Sequence, residues 1–400
     1  MGNRRMNKAL GGKRVLDLTY ALNGPLAGRI LAELGAEVIK IEPPWGSARD
    51  FLPLVKGESV NFVFINAGKK FITLNLKKEE GKEIFKRLVK VSDVVLENFT
   101  PGTMEKLGLG YEELKKVNPN IIYASSSGFG YSGPYKYFPA YDYIIQAMTG
   151  FYYINGTEEM PIKTGVAIID VLTGVSTALA IITAIYYKEK TGLGQRIDIA
   201  MFDVAFYSLV ENLAGILFEG EDSRFNKRLG NKHPVTAPYA LYKCKNGFVF
   251  IAIAKDEQFA RLCKAINRGD LINDDRFKKN EDRVRNVDEL DKYIEDWTSK
   301  YECEEVEEIL RRFDVACAKI RKPSDALKDR QVLERELIRR VNHPVLGEIP
   351  ILNSFLKLSL TPGEISQPGY PLGYHNEQIY GNLLGFNRDT IRKLRDGGVI

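Results

Sequence analysis

Histidine and cysteine, the residues from which metal centres and hydrolytic triads are built, are scarce: three and four in 400 residues. His233, His343 and His375 stand far apart in sequence and no G-x-S-x-G elbow occurs, so zinc-hydrolase and serine-hydrolase arrangements find no support. Cys244, Cys263, Cys303 and Cys317 form no C-x-x-C pair and no spacing for a metal cage or a disulfide framework. Reduced thiols in a cytoplasmic protein, with no bound metal, are expected. An excess of charge is lacking too. The net charge of +5 is spread along the chain with no basic arm or lysine block, so a nucleic acid is not the expected partner, while a small polyanion is compatible. Met1 to Leu10 is polar and basic without an apolar stretch, so no secretory leader is read there.

What is present is the balance of a folded protein, 44% hydrophobic and 27% charged, in a chain long enough for two well-buried domains. Its first half alternates short apolar runs with helical patterns, which is how a parallel sheet with crossover helices is written. Strands are expected at Arg14 to Thr19, Glu37 to Ile41, Phe71 to Leu74, Val94 to Leu96 and Ile121 to Ser125. Helices are expected at Leu26 to Leu34, after the turn Asn23-Gly24-Pro25, and at Glu79 to Val91. A glycine-rich turn and strand follow at Thr191 to Ala200, then a single helix from Phe202 to Phe218. Residues 221–236 suit a linker, and Asn246-Gly247 signals a hairpin between Ala240 to Lys243 and Phe248 to Ala252. Three helical patterns complete a smaller α+β unit before the proline-rich tail, which ends in a helix from Arg388 to Arg395. The predicted division is therefore 1–220, a small unit over 221–329, and a return to the large unit over 330–400.

Two features need weighing against simpler readings. Val166 to Tyr187 carries one charge, Asp170, in 22 residues, which is the length of a membrane span. It is rich in Thr, Ser, Gly and Ala and stands amid amphipathic pattern, so a buried core helix and no membrane association are expected. Gly128 to Gly133 matches G-x-G-x-x-G after a strand. Pro134 and Pro139 leave no helix before Asp142, and without that helix's N-terminus a dinucleotide has nowhere to place its pyrophosphate.

Asp170 heads the apolar helix, where an N-cap role is the simple expectation. A carboxylate stationed there is expected to be held ionised by the helix dipole and to be able to attack a thioester carbonyl. Lys69, Lys70, Lys77 and Lys106 cluster around strand ends, where open α/β sheets bind ligands; each alone reads as solvated surface, and jointly they could hold phosphates.

Several segments together resemble the class III CoA-transferases of the formyl-CoA transferase and carnitine CoA-transferase type. They are Val15 to Pro25 (VLDLTYALNGP), Leu34 to Pro43 (LGAEVIKIEP), Leu74-Asn-Leu with Glu80-Gly81-Lys82, and Val95 to Gly102 (VLENFTPG). Asn118 to Ser126, Tyr141-Asp142 with Gln146-Ala147, and Gly192 to Arg196 continue the series over nearly the whole chain. The resemblance implies an α/β fold with a Rossmann-like large domain whose sheet is built from both chain ends, a smaller inserted α+β domain, and an interlocked homodimer. It implies coenzyme A thioesters as substrates, no tightly bound cofactor, and an acyl-CoA and a carboxylic acid as partners, with succinyl-CoA a donor by family habit. Asp170 falls on the family's nucleophile. Leu74, Lys77, Asn98 and Phe99 fall on positions lining the CoA site, with Lys106 where arginine is frequent and Tyr141 beside the active centre.

Departures qualify the substrates. Leu22 stands where formyl-CoA transferases carry glutamine, Pro43 where an arginine can meet the nucleotide, and Ala252 to Asp256 lacks the glycines of the formyl enzymes. Formyl-CoA and oxalate are therefore not the expected pair. The same fold hosts 2-methylacyl-CoA racemases, which put histidine where this chain has Tyr141, a poorer base near neutral pH. Transferase is the reading preferred over racemase, and over a catalytically silent CoA-binding protein.

Overall fold

Six short strands carry apolar side chains that point alternately to two faces of one sheet, and each face buries its own core. The computed structural model describes residues 8–400, so the reading of the first ten residues falls largely outside what it describes. The strands are β1 (Arg14–Asp17), β2 (Glu37–Glu42), β3 (Lys70–Thr73), β4 (Val94–Glu97), β5 (Ile122–Ser127) and β6 (Arg196–Ala200). All pair in parallel, in the order β3-β2-β1-β4-β5-β6, which is the doubly wound order of dinucleotide-binding sheets. Such a sheet reverses direction between β1 and β4, and a crevice opens there at the carboxyl ends of the strands.

Four helices position the site: α1 (Asn23–Glu33), α2 (Glu79–Lys90), α3 (Asp142–Thr149) and α4 (Ile168–Thr191). Val15, Val38, Val94 and Ile122 face α1 and α4. Their neighbours Leu16, Ile39, Val95 and Tyr123 face the other way, onto Phe85 and Leu88 of α2 and onto Ile379, Tyr380, Leu394 and Ile400 from the end of the chain.

The chain separates into two compact units, one comprising residues to Thr149, Gly165–Ser208 and Arg330–Ile400, the other Gly150–Thr164 and Leu209–Asp329. The expected divisions fell at 220/221 and 329/330, with no place for Gly150–Thr164 in the small unit. Both chain ends build the first unit, but the sheet does not draw on both, since every strand comes from residues 14–200. The tail supplies helices and a hairpin of Ile338–His343 with Gly347–Leu352 instead. It also supplies a clamp: Asn75 N–H donates to Val399 O at 2.8 Å, and Asn75 Nδ2 to Gly398 O at 3.2 Å.

The second unit has an antiparallel sheet of Tyr239–Cys244, Gly247–Ala252 and Ala316–Lys319, packed on helices that bury Phe259, Leu262, Leu290 and Leu310. The expected hairpin is there, but Gly247 pairs with Cys244, so Lys245 and Asn246 make the turn. From the turn, the Asn246 side chain also caps another helix, its Oδ1 accepting from Cys303 N–H at 2.8 Å. The single helix expected over Phe202 to Phe218 is two, Met201–Tyr207 and Val210–Glu219. At the break Ser208 Oγ donates to the Val204 carbonyl at 2.7 Å, competing with the main chain for that acceptor. Helix α4 is long and apolar enough to cross a membrane. It is buried along one face only, with Val175, Leu179, Tyr186 and Tyr187 exposed on the other, so the all-round burial expected of it is not found.

Candidate active site

The turn that follows β1 is stapled from beneath by buried charge. Asp17 is fully buried, and its Oδ1 accepts from Thr19 N–H at 2.9 Å and Thr19 Oγ at 2.6 Å. Lys69 Nζ donates to Asp17 Oδ2 at 2.7 Å and to Pro25 O and Asn66 Oδ1 at 2.8 Å each, and Lys40 Nζ donates to the Thr19 carbonyl. Burial pushes the Lys69 ammonium down to about 8 against the pull of Asp17, and although burial works the other way on Asp17, Lys40 and Lys69 hold its carboxyl below the usual range. Both stay charged near neutral pH. Gly28 makes the arrangement possible, because a methyl group there would lie 2.5 Å from Asp17 Oδ2. The staple holds Ala21 at φ 63°, a left-handed conformation that a residue with a Cβ adopts at a cost of about 1 kcal/mol or more.

From above, the Asn98 side chain closes the same turn. Its Oδ1 accepts from Tyr20 N–H at 2.9 Å, and its Nδ2 donates to Tyr20 O at 2.8 Å and to Asn23 Oδ1 at 3.0 Å. Asn98, expected to line a coenzyme site, is occupied with orienting Asn23. Gly174 of α4 admits the main chain of Asn23, since a Cβ there would fall 2.8 Å from Asn23 O. Helices α1 and α4 thereby approach closely enough for Asn23 to hydrogen-bond the Asp170 carboxyl.

Asp170 is not the N-cap expected of it. Ala167 holds the cap position without a side-chain bond, and Asp170 is the third residue of α4. The capping is done from α3: Asp142 Oδ2 accepts the Asp170 main-chain N–H at 2.9 Å. The Asp170 carboxyl is half-buried, and burial first, then the neighbouring Asp142 carboxylate, push it up to about 6, with the Asn23 amide drawing it back. The helix dipole alone would have held it low. Tyr141 precedes α3 and is largely exposed, near enough to Tyr20 to add to the burial that raises that phenol.

A cavity of about 410 Å³ opens at the carboxyl ends of β1, β2, β3 and β4. Leu74, Lys77, Phe99 and Lys106 line it, together with Thr19, Pro43 and Trp45. Phe99 is fixed there twice, its ring stacked on Tyr20 at 6.2 Å and its N–H donating to the buried Glu97 Oε2 at 2.7 Å. Of the four lysines grouped by sequence, only Lys77 and Lys106 reach the cavity. Lys69 belongs to the buried staple and Lys70 pairs with Glu37. The Thr19–Asn23 turn thus has the cavity at one end and Asp170 at the other. Gly128–Gly133 is a loop braced by Ser127 Oγ and Asp198 Oδ2, and α3 begins at Asp142.

Sequence reasoning had no role for Asn23, Asp142 or Trp45. Asn23 read as a turn residue and Asp142 as part of a family motif; only spatial proximity to Asp170 distinguishes them.

The model of the family described as CoA-transferase family III matches residues 10–376. The chain is similar to the mouse succinyl-CoA:glutarate CoA-transferase, 34% identical across 98% of this chain and 90% of that protein. It is similar to the succinyl-CoA–D-citramalate CoA-transferase of Chloroflexus aurantiacus, 35% identical across 100% of both. Among solved structures, a CAIB/BAIF family protein from Brucella suis superposes with a TM-score of 0.84 at 35% identity, covering 94% of this chain and 100% of that one.

Proposed function

Because the chain belongs to CoA-transferase family III, we propose that Asp170 is the carboxylate through which it moves coenzyme A from an acyl-CoA donor to a free carboxylic acid. One observation carries this reading: Asp170 sits in the first turn of α4 with its pKa raised to about 6, while Asp142 does the capping. A carboxylate so placed is ionised at neutral pH yet more basic than a solvated one, and its oxygens are left to meet a carbonyl carbon.

An Asp170 oxygen adds to the donor's thioester carbonyl, and as the C–O bond forms the C–S bond breaks, giving a mixed anhydride and CoA thiolate. The thiolate attacks the aspartyl carbonyl, freeing the donor as its carboxylate and leaving an aspartyl-CoA thioester. The acceptor carboxylate attacks that thioester carbonyl and expels the thiolate, which then attacks the acceptor's acyl carbon and releases Asp170. No net proton is taken up. The Asn23 amide is positioned to orient Asp170, and Lys77 and Lys106 to meet the coenzyme's phosphates at the cavity rim.

Succinyl-CoA is the proposed donor, in keeping with the names of both relatives, and a small dicarboxylic or hydroxy acid the acceptor. Leu22 brings no amide to the acyl group, which argues against formyl-CoA and oxalate. An interlocked homodimer is proposed as well, supported by the exposed apolar face of α4, where Leu179 is 65% exposed, and by Val210–Glu219, a helix with no buried residue.

The test is to incubate the protein with succinyl-CoA alone and digest it for mass spectrometry. A CoA adduct on the peptide containing Asp170, absent from Asp170→Asn, is expected. Full turnover by a purified Asp170→Asn variant would refute the assignment.

A further inference from the structure

Trp45 is 65% exposed at the mouth of the 410 Å³ cavity, a large aromatic surface left in water by a residue type that is on average highly buried. Its backbone is not loose. Pro43 and Pro44 restrict the approach, Gly46 N–H closes a turn on Pro43 O at 2.8 Å with Pro44 and Trp45 at its centre, and Gly46 leaves the turn at a positive φ of 82°. Beyond it Glu42 accepts from Ser47 N–H at 3.3 Å and from Arg49 Nε at 2.9 Å, while the Arg49 guanidinium rests 4.1 Å from the centre of the Phe62 ring. The indole is thus presented on a braced turn, with the Lys77 ammonium 5.8 Å from its ring centre.

Building on the proposal that coenzyme A occupies this cavity, we infer that Trp45 is the platform on which the coenzyme's adenine stacks, with Lys77 meeting a phosphate beside it. A flat base in van der Waals contact sits about 3.5 Å above the indole, which leaves no room for an ammonium at 5.8 Å over the same face. The flexible Lys77 stem swings aside as the base arrives, and its charge becomes available to the phosphates that adjoin the adenosine. Every base offers a π-face and stacking tolerates the choice of base, so Trp45 selects for an adenine-bearing thioester over the bare phosphopantetheine arm.

The chain has two tryptophans, and Trp297, 8% exposed in the core of the second unit, can be replaced by phenylalanine to leave Trp45 as the sole indole emitter. In the full-length Trp297→Phe protein, CoA and 3′-dephospho-CoA are expected to quench Trp45 emission, and 4′-phosphopantetheine to leave it unchanged at any concentration. Trp45→Ala is expected to weaken CoA binding about 10-fold and phosphopantetheine binding not at all, with Trp45→Tyr restoring most of the loss. Unaltered Trp45 emission in protein shown by calorimetry to hold CoA would overturn the inference, as would an equal loss of both ligands in Trp45→Ala. If the unaltered protein bound no CoA, the reading of the cavity itself would fall, and this inference with it.

Discussion

Asp142 Oδ2 accepts the main-chain N–H of Asp170 at 2.9 Å, so one acidic residue caps the helix on which the other stands. The two carboxylates sit at neighbouring helix starts and take different tasks. Asp142 is buried and holds Gln146 Nε2 on its other oxygen, while Asp170 keeps its carboxyl clear of the cap.

Removing the Asp142 charge while keeping an acceptor oxygen separates these tasks. Asp142→Asn takes away one of the two causes that raise Asp170, so the acid limb of kcat/KM, expected near pH 6 in the unaltered protein, moves to lower pH. A limb that stays in place would show that Asp142 does not act on the titrating group. Asp142→Ala loses the cap as well and lowers stability by about 1 kcal/mol.

Asp170 carries a stability penalty whose sign is fixed by its pKa. The folded protein binds its proton more tightly than the unfolded chain, about 6 against 3.8, so stability falls as pH rises from about 4 to 6 and the penalty is complete above that. Asp170→Asn should therefore melt higher than the unaltered protein at pH 8, by on the order of 1–2 kcal/mol after allowing for partial exposure, while losing activity. The gap should close below about pH 4. Thermal unfolding at pH 4 and pH 8 measures it, and an equal gap at both would contradict the raised pKa.

Lys69→Met leaves the buried Asp17 with Lys40 alone and its Oδ2 without a cation. The expected loss is on the order of 3 kcal/mol, with the Thr19–Asn23 turn loosened and activity reduced beyond what stability explains. Replacing Asp17 by leucine in the same chain should recover part of the stability and none of the activity, since Thr19 loses its acceptor. Urea unfolding of the single and double variants checks both statements, and recovered activity in the double variant would break the link to the turn.

Leu217→Asp with Phe218→Asp places two charges at positions that are 80% and 91% exposed, so folding of the chain is expected to be unaffected. Light scattering should read half the mass of the unaltered protein. An unchanged mass would show that this face lies outside the proposed dimer interface.

The element order along the first half was legible in the sequence because period-two and period-3.6 patterns there do not compete, as at Glu37–Glu42 and Glu79–Lys90. What misled was charge. Lys69 and Lys70 are adjacent lysines at a strand end, and nothing local shows that one is sealed against Asp17, 52 positions away, while the other reaches Glu37. The cap at Asp170 failed for the same reason: its partner lies 28 residues back, across a loop, and wins the N–H that a local carboxylate would otherwise take. Leu74, Lys77, Phe99 and Lys106 share one cavity because each follows a strand of the sheet and the carboxyl ends of parallel strands converge, a rule that the strand order makes usable.

The last turns of the chain complete a core whose strands are translated far earlier, for Ile379, Tyr380, Leu394 and Ile400 cover Leu16, Ile39 and Val95. At a ribosomal rate of roughly 5–20 residues per second, the wait between a strand emerging and its cover arriving is on the order of 20 s or more. The nascent large unit must hold an oily sheet face only partly covered, by Phe85 and Leu88 of α2, through that interval, while the intervening small unit already has its whole sequence. A premature stop near residue 370 would therefore yield not a trimmed enzyme but a sticky intermediate, a client for holdase chaperones.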